Sequence, residues 1–277
     1  MAVRIDLHTH SNRSDGTDSP TELVANARAA GLDVVAITDH DSTEGWAEAD
    51  AAADRVGITL VHGIEISTLL EGKSIHLLGY EFDPHDAALL DELGRILEGR
   101  DDRLPRIIAN LNREGIDITE DEVKLKARDA KASGRPHIAD VLVDKQVVGD
   151  RGEAFDRYLM PGRPGYVEKY AADLPAAIAL VKAAGGRTVI AHPWSRGSDR
   201  ILTPDRIAEM TEAGLDGIEV DHNDHDDEAR AALRGIAQDL GLVQTGSSDY
   251  HGSGKSKAFS LGCNTTAQDQ YEKLLAT

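Results

Sequence analysis

Seven strand-like segments of this chain carry a histidine or carboxylate at or near their ends: DLHTH, AITDHD, HGIEIS, SIHLLG, IAHPW, IEVDHN and SSDYH. Helix-like stretches separate them, such as SPTELVANARAAG, with Ser19 as N-cap, Pro20 at the first helical position and Gly31 as terminator. Strands alternating with helices at this spacing pack as βαβ units around a mostly parallel sheet. When such a sheet closes into a barrel, the C-terminal strand ends meet on one face, where the chemistry of such folds sits. The pattern predicts an α/β barrel whose mouth is crowded with imidazoles and carboxylates.

The alternation breaks in the middle. ALLDELGRILEGRDDRLPRIIANLNREG has long amphipathic periodicity, and ITEDEVKLKARDA, RPHIADVLVDKQ and GEAFDRYLM follow before the breaker-rich PGRPGY. This reads as a helical insertion domain over residues 98–165. It divides the barrel into a first part, 1–97, and a second, 166–277.

Local geometry selects the chemical groups. Residues two apart on a strand project to the same side, so His8 and His10 can approach one ion together. Asp249 and His251 stand in the same relation if SSDYH is extended. Glu65 has opposite parity to His62, so those two face apart. A lone His76 or Glu65 could as well be a hydrogen-bonded or Arg-paired structural residue. As a set, His8, His10, Asp15, His40, Glu65, His76, His192, Asp249 and His251 at one barrel mouth would leave many desolvated polar groups short of partners without cations. They are expected to form a metal centre. Nitrogen and oxygen donors without sulfur favour manganese, iron or zinc, and nine groups suit two to three ions, with Glu65 placed to bridge. Such a centre can acidify water, polarise a phosphoryl oxygen and stabilise a leaving alkoxide. Of the remaining histidines, His62 and His85 read as structural, and His222 as a contact for substrate or leaving group.

Composition narrows the partners. A formal net charge of −19 disfavours a long nucleic-acid duplex, which needs many Lys and Arg against phosphates. A small phosphorylated ligand remains compatible, since bound cations or local arginines reverse the field within one cleft. The single cysteine, Cys263, fits a reducing cytoplasm, the expected location; the start MAVRIDLHTH has no apolar signal core, and no apolar run approaches a membrane span. No obligate protein partner is evident.

Taken in order, DLHTHSNRSDGT, AITDHD, GIEIS, IHLLGY, AHP and SSDYH resemble the PHP (polymerase and histidinol phosphatase) family. The resemblance runs from residue 6 to 251 and implies a distorted (β/α)7 barrel with a trinuclear centre. It implies that His8, His10, Glu65 and Asp249 hold one ion, that Glu65 bridges to a second with His76 and His192, and that Asp15, His40 and His251 hold the third. Within the family the likeness is to stand-alone phosphoesterases with a helical insertion, which remove the 3′-phosphate of nucleoside 3′,5′-bisphosphates or trim short 5′-phosphorylated RNA. The implied reaction is attack by a metal-bound hydroxide held near Glu65 and Asp249.

The segment KASGRPHIADVLV carries this narrower likeness, with Ser133, Arg135 and His137 as expected phosphate contacts. Arg135 and His137 flank Pro136 at a helix start, where backbone donors and a cation suit an anion. The alternative for Arg135 is a surface carboxylate. Competing readings of the whole chain are a histidinol phosphate phosphatase, an exonuclease on short oligonucleotides, and a non-catalytic metal-binding module.

Overall fold

The computed structural model describes residues 3–127 and 129–275. Its strands are β1 (Ile5–Asp6), β2 (Val34–Ile37), β3 (Thr59–Leu70), β4 (Lys73–Tyr80), β5 (Ala172–Asp173), β6 (Arg187–Ala191), β7 (Gly217–Asp221) and β8 (Val243–Gly246). Seven of them form one path, β1-β2-β3-β4-β6-β7-β8, while the short β5 pairs with the outer end of β3. All neighbours on the path are parallel except around β4, which runs against both β3 and β6. This reversed strand is what distorts the barrel.

The sheet nearly closes. Between β8 and β1 there is no continuous ladder. A bridge pairs Thr9 with Tyr250, and Thr266 N donates to Ile5 O at 2.9 Å. The buried carboxylate of Asp6 supplies the rest, accepting from Ser248 N at 3.0 Å and Gly262 N at 2.9 Å.

Alternation along the strands separates two apolar layers. Val34, Ala36, Val61, Leu78, Tyr80 and Val189 fill the barrel, stoppered by Leu274, whereas Val35, Ile37, Ile64, Ile66 and Leu77 pack outward against helices. Those helices are α1 (Pro20–Ala29), α2 (Trp46–Val56), the first half of α3 (Ala87–Arg113), then, beyond the middle segment, α7 (Leu174–Ala183), α8 (Pro204–Glu212), α9 (Asp227–Leu240) and α10 (Gln268–Leu275). The sequence signals at α1 are met: Ser19 and Glu22 form a reciprocal capping box with Pro20 in the first turn. No helix among the described residues is long and apolar enough to cross a membrane.

The middle segment adds α4 (Glu120–Lys126), α5 (Arg135–Asp144), α6 (Arg151–Ala154) and a π-helical turn, Phe155–Leu159. It has its own apolar cluster, in which Ile107, Leu111, Ile138, Leu142 and Leu159 are all buried. Helix α3 passes residue 98 without a break. Leu89, Leu93 and Ile96 belong to the barrel's outer layer and Leu104 onward to the second cluster, with Pro105 at the junction.

Three local expectations change. His76 lies in the first half of β4 rather than at a C-terminal strand end, and reaches the mouth because β4 runs backward. Glu65 is mid-strand, because β3 continues past the rim into a hairpin with β4. The segment SSDYH is not extended: Asp249 has φ +51°, in the left-handed region.

Candidate active site

The loop after β1 brings in His8, His10 and Asp15, and Asp39 at the end of β2 fixes that loop. Its carboxylate accepts from Ser11 N at 2.8 Å, Ser11 Oγ at 2.6 Å and Ser14 Oγ at 2.6 Å. His40 follows, and Glu65 and His76 come from the inner face of the β3–β4 hairpin. His192 and Asp249 leave β6 and β8 with φ of +29° and +51°. Non-glycine residues held there store strain, and such residues cluster where a side chain must be aimed.

Five of the imidazoles converge on Glu65. Its Oε1 is 2.7 Å from His76 Nδ1 and 3.2 Å from His192 Nε2. Its Oε2 is 3.1 Å from His10 Nε2, 3.2 Å from His40 Nδ1 and 3.3 Å from His8 Nε2. Asp249 Oδ1 is 3.5 Å and 3.6 Å from the same nitrogens of His10 and His8. Asp15 Oδ1 is 3.2 Å from His251 Nε2.

Three groupings place their ligand atoms within 4.8 Å of one another: His10, Asp15, His40 and His251; His8, His10 and Asp249; and His40, Glu65 and His76. The expected partition differs in detail, since His10 and His40 each stand between two groups.

This arrangement fits divalent cations. His8 Nε2 and His10 Nε2 face each other at 3.1 Å, and His40 Nδ1, although 3.2 Å from Glu65 Oε2, is buried and not directed for a hydrogen bond. The carboxylates need positive charge. Burial pushes Glu65 up, yet His40, His76 and His8 hold it well below the usual carboxylate range. Burial likewise disfavours a charged His8, but Glu65, Glu219 and Asp249 raise it well above its ordinary value. Carboxylates packed this closely against imidazoles favour a positive charge among them, which a divalent ion would supply when bound. Several histidines also spend their other nitrogen on a protein partner: His8 Nδ1 on Glu219 Oε1 at 3.2 Å, His192 Nδ1 on Ser195 Oγ at 3.1 Å, His251 Nδ1 on Asp249 O at 2.9 Å. Such outer contacts fix the tautomer and ring orientation of metal-ligating histidines.

A cleft of about 820 Å³ opens over the centre, lined on the barrel side by His40, Glu65, His76 and His192. The far wall carries Arg100, Arg103, Arg135, Arg151, Lys169 and Arg196. Arg135 donates to Leu159 O at 2.8 Å and lies over the rings of Phe155 and Tyr166. Lys169 Nζ and Arg103 Nε are buried with no hydrogen-bond partner. Burial, and then neighbouring cations, push Arg103, Arg135 and Lys169 below their ordinary values.

Ser133, His137 and His222, the other expected contacts, are not among the residues lining the cleft. Ser133 faces a separate shallow pocket with Asp101 and Lys124. His137 Nδ1 accepts from Gly134 N at 3.0 Å, capping α5. His222 is fully buried with both ring nitrogens engaged: Nδ1 accepts from Asp224 N at 3.1 Å, and Nε2 donates to Asp249 Oδ2 at 3.2 Å. His62 faces outward as its parity requires, stacked on Trp46 and bonded to Asp50.

Sequence reasoning passed over Glu219, Asp39, Asp41, Arg100, Arg103 and Lys169. Glu219 and Asp39 carried a signal, as acids within apolar strands. The cations carried none, because Arg100 and Arg103 on an amphipathic helix and Lys169 in a charged loop normally read as surface.

Known proteins share this architecture. A PHP domain model matches residues 6–132. A 3′,5′-nucleoside bisphosphate phosphatase from Chromobacterium violaceum is 39% identical over 255 residues, 91% of this chain and 89% of that protein. A 5′-3′ exoribonuclease from Haemophilus influenzae is 38% identical over 254 residues, 91% of each. A crystal structure from Bifidobacterium adolescentis, described as a candidate metal-dependent phosphoesterase, superposes with a TM-score of 0.94 at 36% identity, covering 100% of this chain and 96% of that one. Identity at this level over nearly the full length, on a barrel mouth built for divalent cations, makes the chain a member of the PHP family and a phosphoric ester hydrolase.

Proposed function

We propose that this enzyme removes the 3′-phosphate of nucleoside 3′,5′-bisphosphates, using two to three divalent ions, manganese foremost, at the nine-residue centre. The observation that carries the substrate reading is the wall of positive charge that faces that centre across the cleft. Arg100, Arg103, Arg135 and Lys169 line it, and the carboxylate that Arg100 and Lys169 face is Asp41. In a chain of net charge −19, buried cations with unused donors call for an anion from outside. A second phosphate on the substrate supplies it.

When bound, the ions supply Lewis acidity that neutralises phosphoryl oxygens and lowers the pKa of water. The protein's own groups position the substrate. The guanidinium of Arg135, anchored to Leu159 O through one nitrogen, presents a planar fork that suits two phosphate oxygens. Lys169 acts as a point charge beside it. Phe155, on the π-helical turn, and Met160, just after it, offer an apolar wall of the cleft to the nucleoside. Holding one phosphate fixes the distance to the other ester, so orientation contributes to rate.

Trimming of short 5′-phosphorylated RNA is the second reading. It draws on the same pocket, which would hold the terminal phosphate, and on the similarity to the Haemophilus influenzae exoribonuclease. Histidinol phosphate fits poorly, since its amine would meet this cationic wall. The test is phosphate release from adenosine 3′,5′-bisphosphate, 3′-AMP, histidinol phosphate and a 5′-phosphorylated trinucleotide by manganese-loaded protein. The proposal expects kcat/KM for the bisphosphate to exceed that for 3′-AMP at least tenfold. Equal values would remove the second-phosphate pocket from the account.

A further inference from the structure

Glu219 lies on the inner face of β7, fully buried, and belongs to none of the three ligand groupings. Its two oxygens go to two different members of the centre. Oε1 accepts from His8 Nδ1 at 3.2 Å, and Oε2 accepts from His192 N at 2.9 Å. His8 leaves β1 and His192 leaves β6, so one carboxylate spans the interior between them. His192 also has φ +29°, a conformation that needs an outside constraint.

We infer that Glu219 is a positioning residue for the metal centre: as an acceptor at both oxygens it fixes His8 in the Nδ1–H tautomer, leaving Nε2 free to ligate, and pins the backbone of His192. The inference rests on the divalent-ion reading of the centre. Its force comes from the requirement for two acceptors. A glutamine of the same shape has one acceptor and one donor. If its carbonyl faced His8, its amide would oppose the His192 N–H. If its carbonyl faced His192, its amide would meet His8 Nδ1. A backbone N–H cannot change its role, whereas an imidazole can move its proton. The second orientation therefore prevails. His8 is then forced into the Nε2–H tautomer, with a hydrogen pointing at Glu65 and His10 where a lone pair is required.

Glu219→Gln should thus lower metal affinity by about 10–100-fold, the range for lost outer-sphere partners, in isothermal titration with Mn²⁺. The melting temperature of the metal-free protein should change little. Glu219→Asp, which keeps two acceptors, should recover most of the affinity. Nitrogen-15 imidazole shifts give an independent reading on the wild-type protein loaded with Zn²⁺, where His8 should be protonated at Nδ1. A Glu219→Gln protein that binds Mn²⁺ like the wild type would overturn the inference. So would a Zn²⁺-loaded wild type with His8 protonated at Nε2, or a Glu219→Asp protein as weak as the glutamine variant. A wild-type protein that takes up no ion would overturn the metal reading as well, which separates the two failures.

Discussion

Arg100 grips Asp41 with two nitrogens: Nε lies 3.0 Å and a terminal nitrogen 2.6 Å from Asp41 Oδ2. Ser67 completes the carboxylate's shell through its N–H at 2.6 Å and its hydroxyl at 2.8 Å. Burial raises the Asp41 carboxyl, but Arg100 and Lys169 hold it below the usual range. Asp41 follows His40 directly and has φ +56°. The pair therefore ties α3 to the loop that aims a metal-facing histidine. Removing one partner strands a buried charge, at about 3–5 kcal/mol. Arg100→Met and Asp41→Asn should each lower unfolding free energy in urea by about 3 kcal/mol. The double variant should lose less than their sum by at least ~1.5 kcal/mol. Strictly additive losses would show the two residues to be uncoupled.

Lys169 gives a pH-dependent prediction. Burial, and then the like charge of Arg100, hold its ammonium well below the ordinary value. Between that lowered value and the unfolded value of about 10.4, the unfolded chain binds more protons, so stability rises with pH across the window. Below the folded pKa the cost of burying the charge is fully present. A bound phosphate relieves it. Lys169→Met should therefore raise the Tm of phosphate-free protein at neutral pH, at about 2–4 °C per kcal/mol for a chain of this size. The same substitution should remove most of the Tm gain that inorganic phosphate gives the wild type. A variant whose phosphate response is unchanged would place Lys169 outside the anion pocket.

How far the sequence disclosed this site follows from the geometry. The barrel was legible because its parallel strands alternate inner and outer apolar residues and stop at polar groups, as in AITDHD and IAHPW. Parity separated Glu65 from His62 correctly. At SSDYH the extended backbone that the parity rule required is absent, and Asp249 and His251 meet at 3.4 Å through a left-handed turn at Asp249 that the rule does not foresee. His76 reached the mouth by strand reversal, which only the hairpin with β3 fixes. Arg100, Arg103 and Lys169 were illegible for another reason. Their burial depends on α3 lying against the barrel rim, a tertiary event, whereas locally they sit in a helix and a loop rich in charge.

Asp6 predicts how the barrel is held shut. Its carboxylate replaces a ladder between β1 and β8, receiving Ser248 N and Gly262 N, with His8 N at 3.5 Å. Asp6→Ala leaves two N–H groups unpaired, that of Ser248 fully buried and that of Gly262 half-buried, each costing up to about 1–3 kcal/mol. Unfolding free energy should fall by roughly 2–6 kcal/mol. Hydrogen exchange at Ser248 and Gly262 should accelerate more than at the β3–β4 hairpin. Uniform acceleration across the sheet would mean that Asp6 contributes to general stability and not to closure.

His62 and His76 lie on β3 and β4 but face opposite ways, which allows a paired test of the metal centre. His62 stacks on Trp46 with ring centroids 4.4 Å apart and bonds Asp50 at 2.8 Å, outside the barrel. His76 points inward, 2.7 Å from Glu65. A ligand that binds only the folded state at 1,000 times its Kd adds about 4 kcal/mol of stability, or about 8–16 °C in Tm at this size. Chelation should remove a shift of that order from wild-type protein and from His62→Ala. His76→Ala removes a nitrogen from one of the three ligand groupings, so its chelator response should shrink and its bound metal should fall by elemental analysis. Its phosphate release should drop at least 100-fold, while His62→Ala stays within a factor of three. Should His62→Ala lose metal as readily as His76→Ala, the loss would reflect damage to the hairpin, and the inward face of β3 and β4 would no longer define the centre.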